Sequence, residues 1–218
     1  MTSKFKAAVF DLDGTLLNTL DDLADGTNAA LTHYGYPPRT LDEVRRFVGN
    51  GVRNLVIRAL PDGENTPNFE EVFSYFCSYY TAHSRIKTAP YPGILEALTE
   101  LKKSGVKIAV VSNKLDSAVR ELCDLFFGGL VDAAIGDLEG RPRKPAPDGT
   151  LTALREMGVL PKDAAFIGDS DVDIITGRNA GLTPIGVLWG FRDRECLVGA
   201  GADLLVADAD ELIRLLSE

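Results

Sequence analysis

Asp11-Leu12-Asp13-Gly14-Thr15 stands directly after the apolar run Ala7 to Phe10. Two carboxylates spaced i, i+2 at the exit of a buried strand are costly to desolvate without partners. A bound cation together with a phosphoryl-group substrate gives both acids a reason to be there. A second apolar run, Ala164 to Ile167, ends in Gly168-Asp169-Ser170-Asp171-Val172-Asp173. Three acids in five residues exceed what the start of a helix needs. A third run, Val106 to Val111, ends in Ser112-Asn113-Lys114, and Lys144 lies in a proline-rich loop ahead of a helix.

Each segment has a plainer reading. Asp13-Gly14 is a common turn pair, Ser112 and Asn113 are ordinary helix caps, and Lys144 has Arg141 and Arg143 beside it in a polar loop. The first segment also begins like a calcium loop. That loop requires glycine at its sixth position and glutamate at its twelfth, where this chain has Leu16 and Asp22. No GxxxxGK[ST], GxSxG or HExxH occurs, and Gly49-Asn50-Gly51 lacks the third glycine of a dinucleotide loop, with Asn54 in its place. His33 and His83 fall in helical segments and read as packing or surface residues.

The elements that must position these residues alternate along the chain. Lys6 to Leu12 reads as a buried strand. Helices are predicted over 21–34, 41–48, 52–60 and 69–84, the third stopped by Pro61. From Pro92-Gly93 onward, helices over 94–104, 116–127, 148–157, 171–180 and 210–216 alternate with strands over 106–111, 133–135, 164–167, 183–187 and 203–206. Strands alternating with helices imply a doubly wound, mainly parallel, Rossmann-like α/β sheet covered on both faces. The first strand belongs with this C-terminal part. Residues 1–16 and 88–218 are therefore expected to form the α/β core, and residues 17–87 a small helical domain inserted after the first strand. Ligands of such sheets bind outside the carboxyl ends of the strands, where the four polar segments converge.

Composition narrows the classes. The chain has 218 residues, 45% hydrophobic and 25% charged, with a formal charge of −9. That size and balance suit a soluble domain with a substantial core. The negative charge argues against a nucleic-acid surface but not against a small phosphate ester held by a cation, one lysine and backbone N–H groups. Cys77, Cys123 and Cys196 are far apart and read as reduced thiols, so a cytoplasmic location is expected. No signal peptide is expected at the start, and no apolar stretch approaches the ~18 residues of a membrane span.

With the segments in this order, the chain resembles the haloacid dehalogenase-like phosphohydrolases over essentially its whole length. Their first motif, DxDGT, corresponds to Asp11 to Thr15. The second is Ser112, the third Lys144, and the fourth, GDxxxD, is Gly168 to Asp173. The insert resembles their helical cap. Val48 to Leu60 resembles the phosphoglycolate phosphatase group, whereas Asn18-Thr19 departs from the acid usually found there.

The resemblance implies a phosphoric monoester hydrolase in which Asp11 is the nucleophile and forms an aspartyl-phosphate. Asp13 acts as acid and then base, and Lys144 pairs with Asp11 and the phosphate. Mg²⁺ is held by Asp11, the backbone carbonyl of Asp13, and Asp169, with Asp173 supporting the lysine or metal-bound waters. Thr15, Ser112 and Asn113 bind substrate, while Asn50, Gly51 and Arg53 read its non-phosphate end. The expected substrate is a small phosphorylated metabolite, 2-phosphoglycolate first, and the enzyme is a monomer or homodimer. A pyrophosphatase, a phosphomutase and a phosphorylatable receiver-type signalling domain are the alternatives.

Overall fold

The computed structural model describes residues 4–49 and 51–217. Among these, strands β1 (Ala7–Phe10), β4 (Lys107–Leu115), β5 (Ala133–Asp137), β6 (Ala164–Gly168), β7 (Thr183–Val187) and β8 (Leu204–Val206) form one sheet in the order β5-β4-β1-β6-β7-β8. Neighbouring strands run parallel throughout. The remaining strands, β2 (Leu17–Asn18) and β3 (Ala89–Pro90), form a separate two-stranded ribbon. The helices are α1 (Leu20–His33), α2 (Leu41–Phe47), α3 (Val52–Ala59), α4 (Phe69–His83), α5 (Ile94–Lys103), α6 (Asp116–Phe127), α7 (Asp148–Met157), α8 (Asp171–Ala180), α9 (Arg194–Gly199) and α10 (Ala209–Ser217).

The expected doubly wound sheet is present, because short runs such as Ala7–Phe10 are buried at every position and must be covered on both faces. Alternation along β1 sends Ala8 and Phe10 to one face and Ala7 and Val9 to the other. The first face packs with Ile94, Leu98 and Leu101 of α5, Val119 and Phe127 of α6, and Leu212 and Leu216 of α10. The second packs with Phe166, Ala153 and Leu154 of α7, and Ala180 of α8.

Some elements differ from the sequence expectation. β4 continues past Val111 to Leu115, with its register to β5 shifting between those residues. Polar Ser112-Asn113-Lys114 masked this extension. The two-residue strands of the ribbon are too short for any periodicity, and the short helix α9 was not anticipated.

Chain contacts divide the molecule into two compact units, residues 1–17 with 90–218, and residues 18–89. In the second unit α1 packs on α4, with Gly26 facing Phe76 and Tyr80 at distances that leave room for ordinary contact. α2 begins with a capping box between Thr40 and Glu43. Buried Asp22 accepts the N–H groups of Lys87 and Thr88 and the Thr88 hydroxyl, at 2.8 to 3.1 Å, which fixes the returning segment against α1.

Phe10 is fully buried at the centre of the larger core. Phe10→Ala should lower unfolding free energy by about 3–5 kcal/mol, the usual range for an aromatic cavity. Urea or guanidinium unfolding measures this, and a loss under about 1 kcal/mol would contradict the central placement of β1.

Candidate active site

β1 lies between β4 and β6 in register, Phe10 facing Val110 on one side and Ile167 on the other. The chain order reverses at this strand, so a crevice opens at its carboxyl end. One or two residues past these pairs stand Asp11, Ser112 and Asp169. The Asp11 N–H still donates to the Ile167 carbonyl at 2.9 Å, so Asp11 is held as firmly as a strand residue. Beyond it the chain turns tightly. The Leu12 carbonyl accepts from the N–H groups of Thr15, Leu16 and Leu17 at 2.9 to 3.3 Å.

Gly14 sits in this turn at φ 89°, and a Cβ on it would lie 2.4 Å from Asp169 Oδ2. A Cβ on Gly190 would lie 2.2 Å from Asp169 Cβ. Two glycines therefore let the backbone close on Asp169 from two segments. That carboxylate accepts the Phe191 N–H at 2.7 Å and the Thr15 hydroxyl at 3.2 Å. Trp189 adds an indole N–H to the Thr15 carbonyl at 3.0 Å, tying the loop after β7 to the turn after β1.

Lys144 is buried with its ammonium nitrogen 2.8 Å from Asp11 Oδ1 and 2.7 Å from Asp173 Oδ1. Asp173 is itself fixed, because its other oxygen accepts the N–H and hydroxyl of Ser170 in the capping box of α8. Gly168 makes room for this arrangement, since a Cβ there would lie 2.2 Å from Asp173 Cβ. The Lys144–Pro145 peptide is cis.

Carboxylate oxygens of Asp11, Asp169 and Asp173 lie within 4.8 Å of one another. Burial, and next the charge of Asp173, push the Asp11 carboxyl up to about 7, against the opposing pull of Lys144. Burial, then Asp173 and Asp11, push Asp169 up to about 8, opposed by the Phe191 N–H and Lys144. Burial by itself would lower the Lys144 ammonium, but Asp11 and Asp173 outweigh it and hold the group protonated above its ordinary value.

The donor set fits a divalent cation. Asp11 Oδ1 is buried with the Lys144 ammonium 2.8 Å away as its ion-pair partner, and no other donor reaches it among the described residues. Three clustered carboxylates facing one buried ammonium leave an excess of negative charge. Their all-oxygen chemistry suits a hard ion such as Mg²⁺.

The other sequence-predicted residues divide. Ser112 is buried at the rim, where its hydroxyl accepts the Lys114 N–H at 3.3 Å. Asp13 does not join the carboxylate cluster with its side chain. Both its oxygens face the Lys114 ammonium, at 3.0 and 3.2 Å. Asn113 was expected at the substrate, but its amide clamps the Lys144 backbone, donating to the carbonyl at 3.1 Å and accepting from the N–H at 2.9 Å. The Thr15 hydroxyl goes to Asp169.

Arg53, expected at a substrate carboxylate, is already engaged within its own unit. It pairs with Glu64 at 3.1 Å and Glu70 at 2.6 Å and stacks over Phe69 and Phe73. Gly51 precedes α3 at φ 88°, and Asn50 lies outside the described residues. Lys114 and the 189–191 segment were given no role from sequence. The i, i+2 spacing of Lys114 from Ser112 was a usable signal, whereas the backbone donor of Phe191 leaves no trace in residue type.

Comparison with known proteins places this geometry in a family. Residues 8–187 match the family profile of the haloacid dehalogenase-like hydrolases. The phosphoglycolate phosphatase of Aquifex aeolicus is 34% identical over 212 residues, covering 97% of this chain and 96% of that protein. Phosphoglycolate phosphatase 1 of Pseudomonas aeruginosa is 31% identical over 214 residues, covering 95% and 78%. A crystal structure from Lactobacillus delbrueckii subsp. bulgaricus superposes with a TM-score of 0.93 at 37% identity, covering 98% of this chain and 99% of that one. The profile spans Asp11, Ser112, Lys144 and Asp169, and on that match the chain belongs to the haloacid dehalogenase-like hydrolases.

Proposed function

We propose that the chain is a Mg²⁺-dependent phosphatase that hydrolyses 2-phosphoglycolate through an aspartyl-phosphate on Asp11. One observation carries the chemistry: a buried carboxylate, Asp11, lies 2.8 Å from a buried ammonium beside two further acids. The relatives from Aquifex aeolicus and Pseudomonas aeruginosa, both named phosphoglycolate phosphatase, support the substrate. Among the described residues no helix is long and apolar enough to cross a membrane. The helical unit, residues 18–89, serves as the cap domain.

Asp11, Asp169 and the main-chain carbonyl of Asp13 would hold the cation. Bound there, Mg²⁺ screens the negative charge of the nucleophile and of the phosphoryl oxygens. An Asp11 oxygen attacks phosphorus as the bond to the ester oxygen breaks, and Asp13 gives its proton to the departing alkoxide. In the second half, Asp13 takes a proton from water. The water oxygen attacks phosphorus, and the bond to Asp11 breaks to release inorganic phosphate and restore the carboxylate.

Lys144, immobilised by Asp173, keeps a positive charge beside Asp11 where phosphoryl oxygens gather. Asn113 holds the Lys144 backbone in place. Ser112 donates its hydroxyl to a phosphoryl oxygen. None of these groups has to move far, so little reorganisation accompanies the charge shift at phosphorus.

Asp11→Asn should reduce kcat on 2-phosphoglycolate at least ~1,000-fold, as expected when a nucleophile is lost. A phosphate-release assay measures this, and near-parental turnover would remove Asp11 as nucleophile. EDTA should abolish turnover and excess Mg²⁺ should restore it. Activity unaffected by chelation would contradict the cation's role.

The raised Asp11 and Asp169 carboxyls also set a pH trend. Both ionise near 4 when unfolded, so between there and about pH 8 the folded state binds more protons. Metal-free protein should therefore lose stability from pH 6 to pH 9, and Mg²⁺ should raise the melting temperature more at pH 9 than at pH 6. Thermal melts with and without Mg²⁺ measure both trends. A larger Mg²⁺ effect at pH 6 would contradict this electrostatic account.

A further inference from the structure

The site holds two lysines, and they are held differently. Lys144 is locked between Asp11 and Asp173. Lys114, at the end of β4, reaches Asp13 with a side chain 8% exposed, while the Asp13 side chain is 20% exposed. Its ammonium contacts both Asp13 oxygens, at 3.0 and 3.2 Å. Each Asp13 oxygen gives an acceptor site to this ammonium, and that contact competes with proton exchange between Asp13 and a leaving group. The clasp therefore opposes the task that the phosphatase reading gives to Asp13.

We propose that Lys114 reads a second negative charge on the substrate and, in doing so, releases Asp13 toward the leaving oxygen. The inference rests on the function proposed above and adds the residue that recognises the substrate's alcohol portion. In the proposed reaction Asp13 serves the leaving oxygen, so the carbons beyond that oxygen would lie on the Asp13 side of the site. A carboxylate borne by that portion competes with Asp13 for the Lys114 ammonium.

Three further observations favour Lys114. Its flexible four-carbon stem lets the ammonium change partner over a short distance. Its backbone is fixed beside the phosphoryl-binding residue, because the Lys114 N–H donates to the Ser112 hydroxyl at 3.3 Å. Arg53, the other cation considered for this purpose, is already paired with Glu64 and Glu70. A monoester with a neutral tail gives Lys114 nothing to exchange for Asp13, so the clasp persists and turnover is slower. An ester whose alcohol carries a carboxylate opens it. The pair thus selects substrates through their charge at a distance from phosphorus.

The test compares 2-phosphoglycolate with ethyl phosphate, which has the same two-carbon alcohol portion but no carboxylate. The ratio of kcat/KM for the two esters is measured for the wild type, Lys114→Met and Lys114→Arg. The wild-type ratio tests the substrate reading by itself, and a ratio at or below one overturns that reading. The change in ratio tests Lys114. Lys114→Met should lower it at least tenfold, mainly through a higher KM for 2-phosphoglycolate, while Lys114→Arg should retain most of it. A ratio unchanged within twofold in Lys114→Met, whatever the absolute loss, would overturn the proposal, because a purely structural role lowers both esters alike. Equal ratios in the Met and Arg variants would overturn it as well, since the retained charge would then make no difference.

Discussion

Lys144 carries its ammonium between Asp11 and Asp173, and around it three carboxylates crowd into a space under 5 Å across. Buried like charges repel and lose hydration, so this cluster costs stability unless positive charge is supplied. One lysine supplies part of it. The rest of the site is organised around the remainder, which a divalent cation would supply under the proposed function, and that same cation would then offset the charge of an incoming phosphate ester. The raised Asp11 and Asp169 carboxyls follow from burial and from the same crowding.

The fold makes this crowding possible at modest conformational cost. A parallel sheet delivers Asp11, Ser112 and Asp169 to its carboxyl end because their strands are adjacent and in register. Gly14, Gly168 and Gly190 remove the Cβ atoms that would otherwise collide with Asp169 or Asp173. α8 begins at this end, and its capping box holds Asp173 where its other oxygen meets Lys144. Fixed backbone thus positions the acids and keeps their geometry set before substrate arrives.

Much of this was legible in the residues. The sheet announced itself through fully apolar runs separated by glycine and proline, and the acids at their ends stood out because no core needs them. What was not legible depended on contacts distant in sequence. Arg53 looked like a carboxylate reader until Glu64 and Glu70 filled its guanidinium, 11 and 17 residues away. Asn113 looked like a substrate ligand because its clamp on Lys144 spans 31 residues. Phe191 reaches Asp169 through a backbone N–H, which any residue but proline could provide. The two-residue ribbon lies below the length at which alternation can be read.

The central claim is that Asp11, Lys144 and Asp169 surround one divalent ion and one phosphoryl group. A crystal structure grown with Mg²⁺ and beryllium fluoride, a mimic of the phosphoryl group on aspartate, tests it most directly. The account predicts the fluoride complex on the Asp11 carboxylate and the metal bound by Asp11, Asp169 and the Asp13 carbonyl, with the Lys144 ammonium beside the fluorides. A metal bound elsewhere, or a beryllium centre on any other side chain, would contradict it.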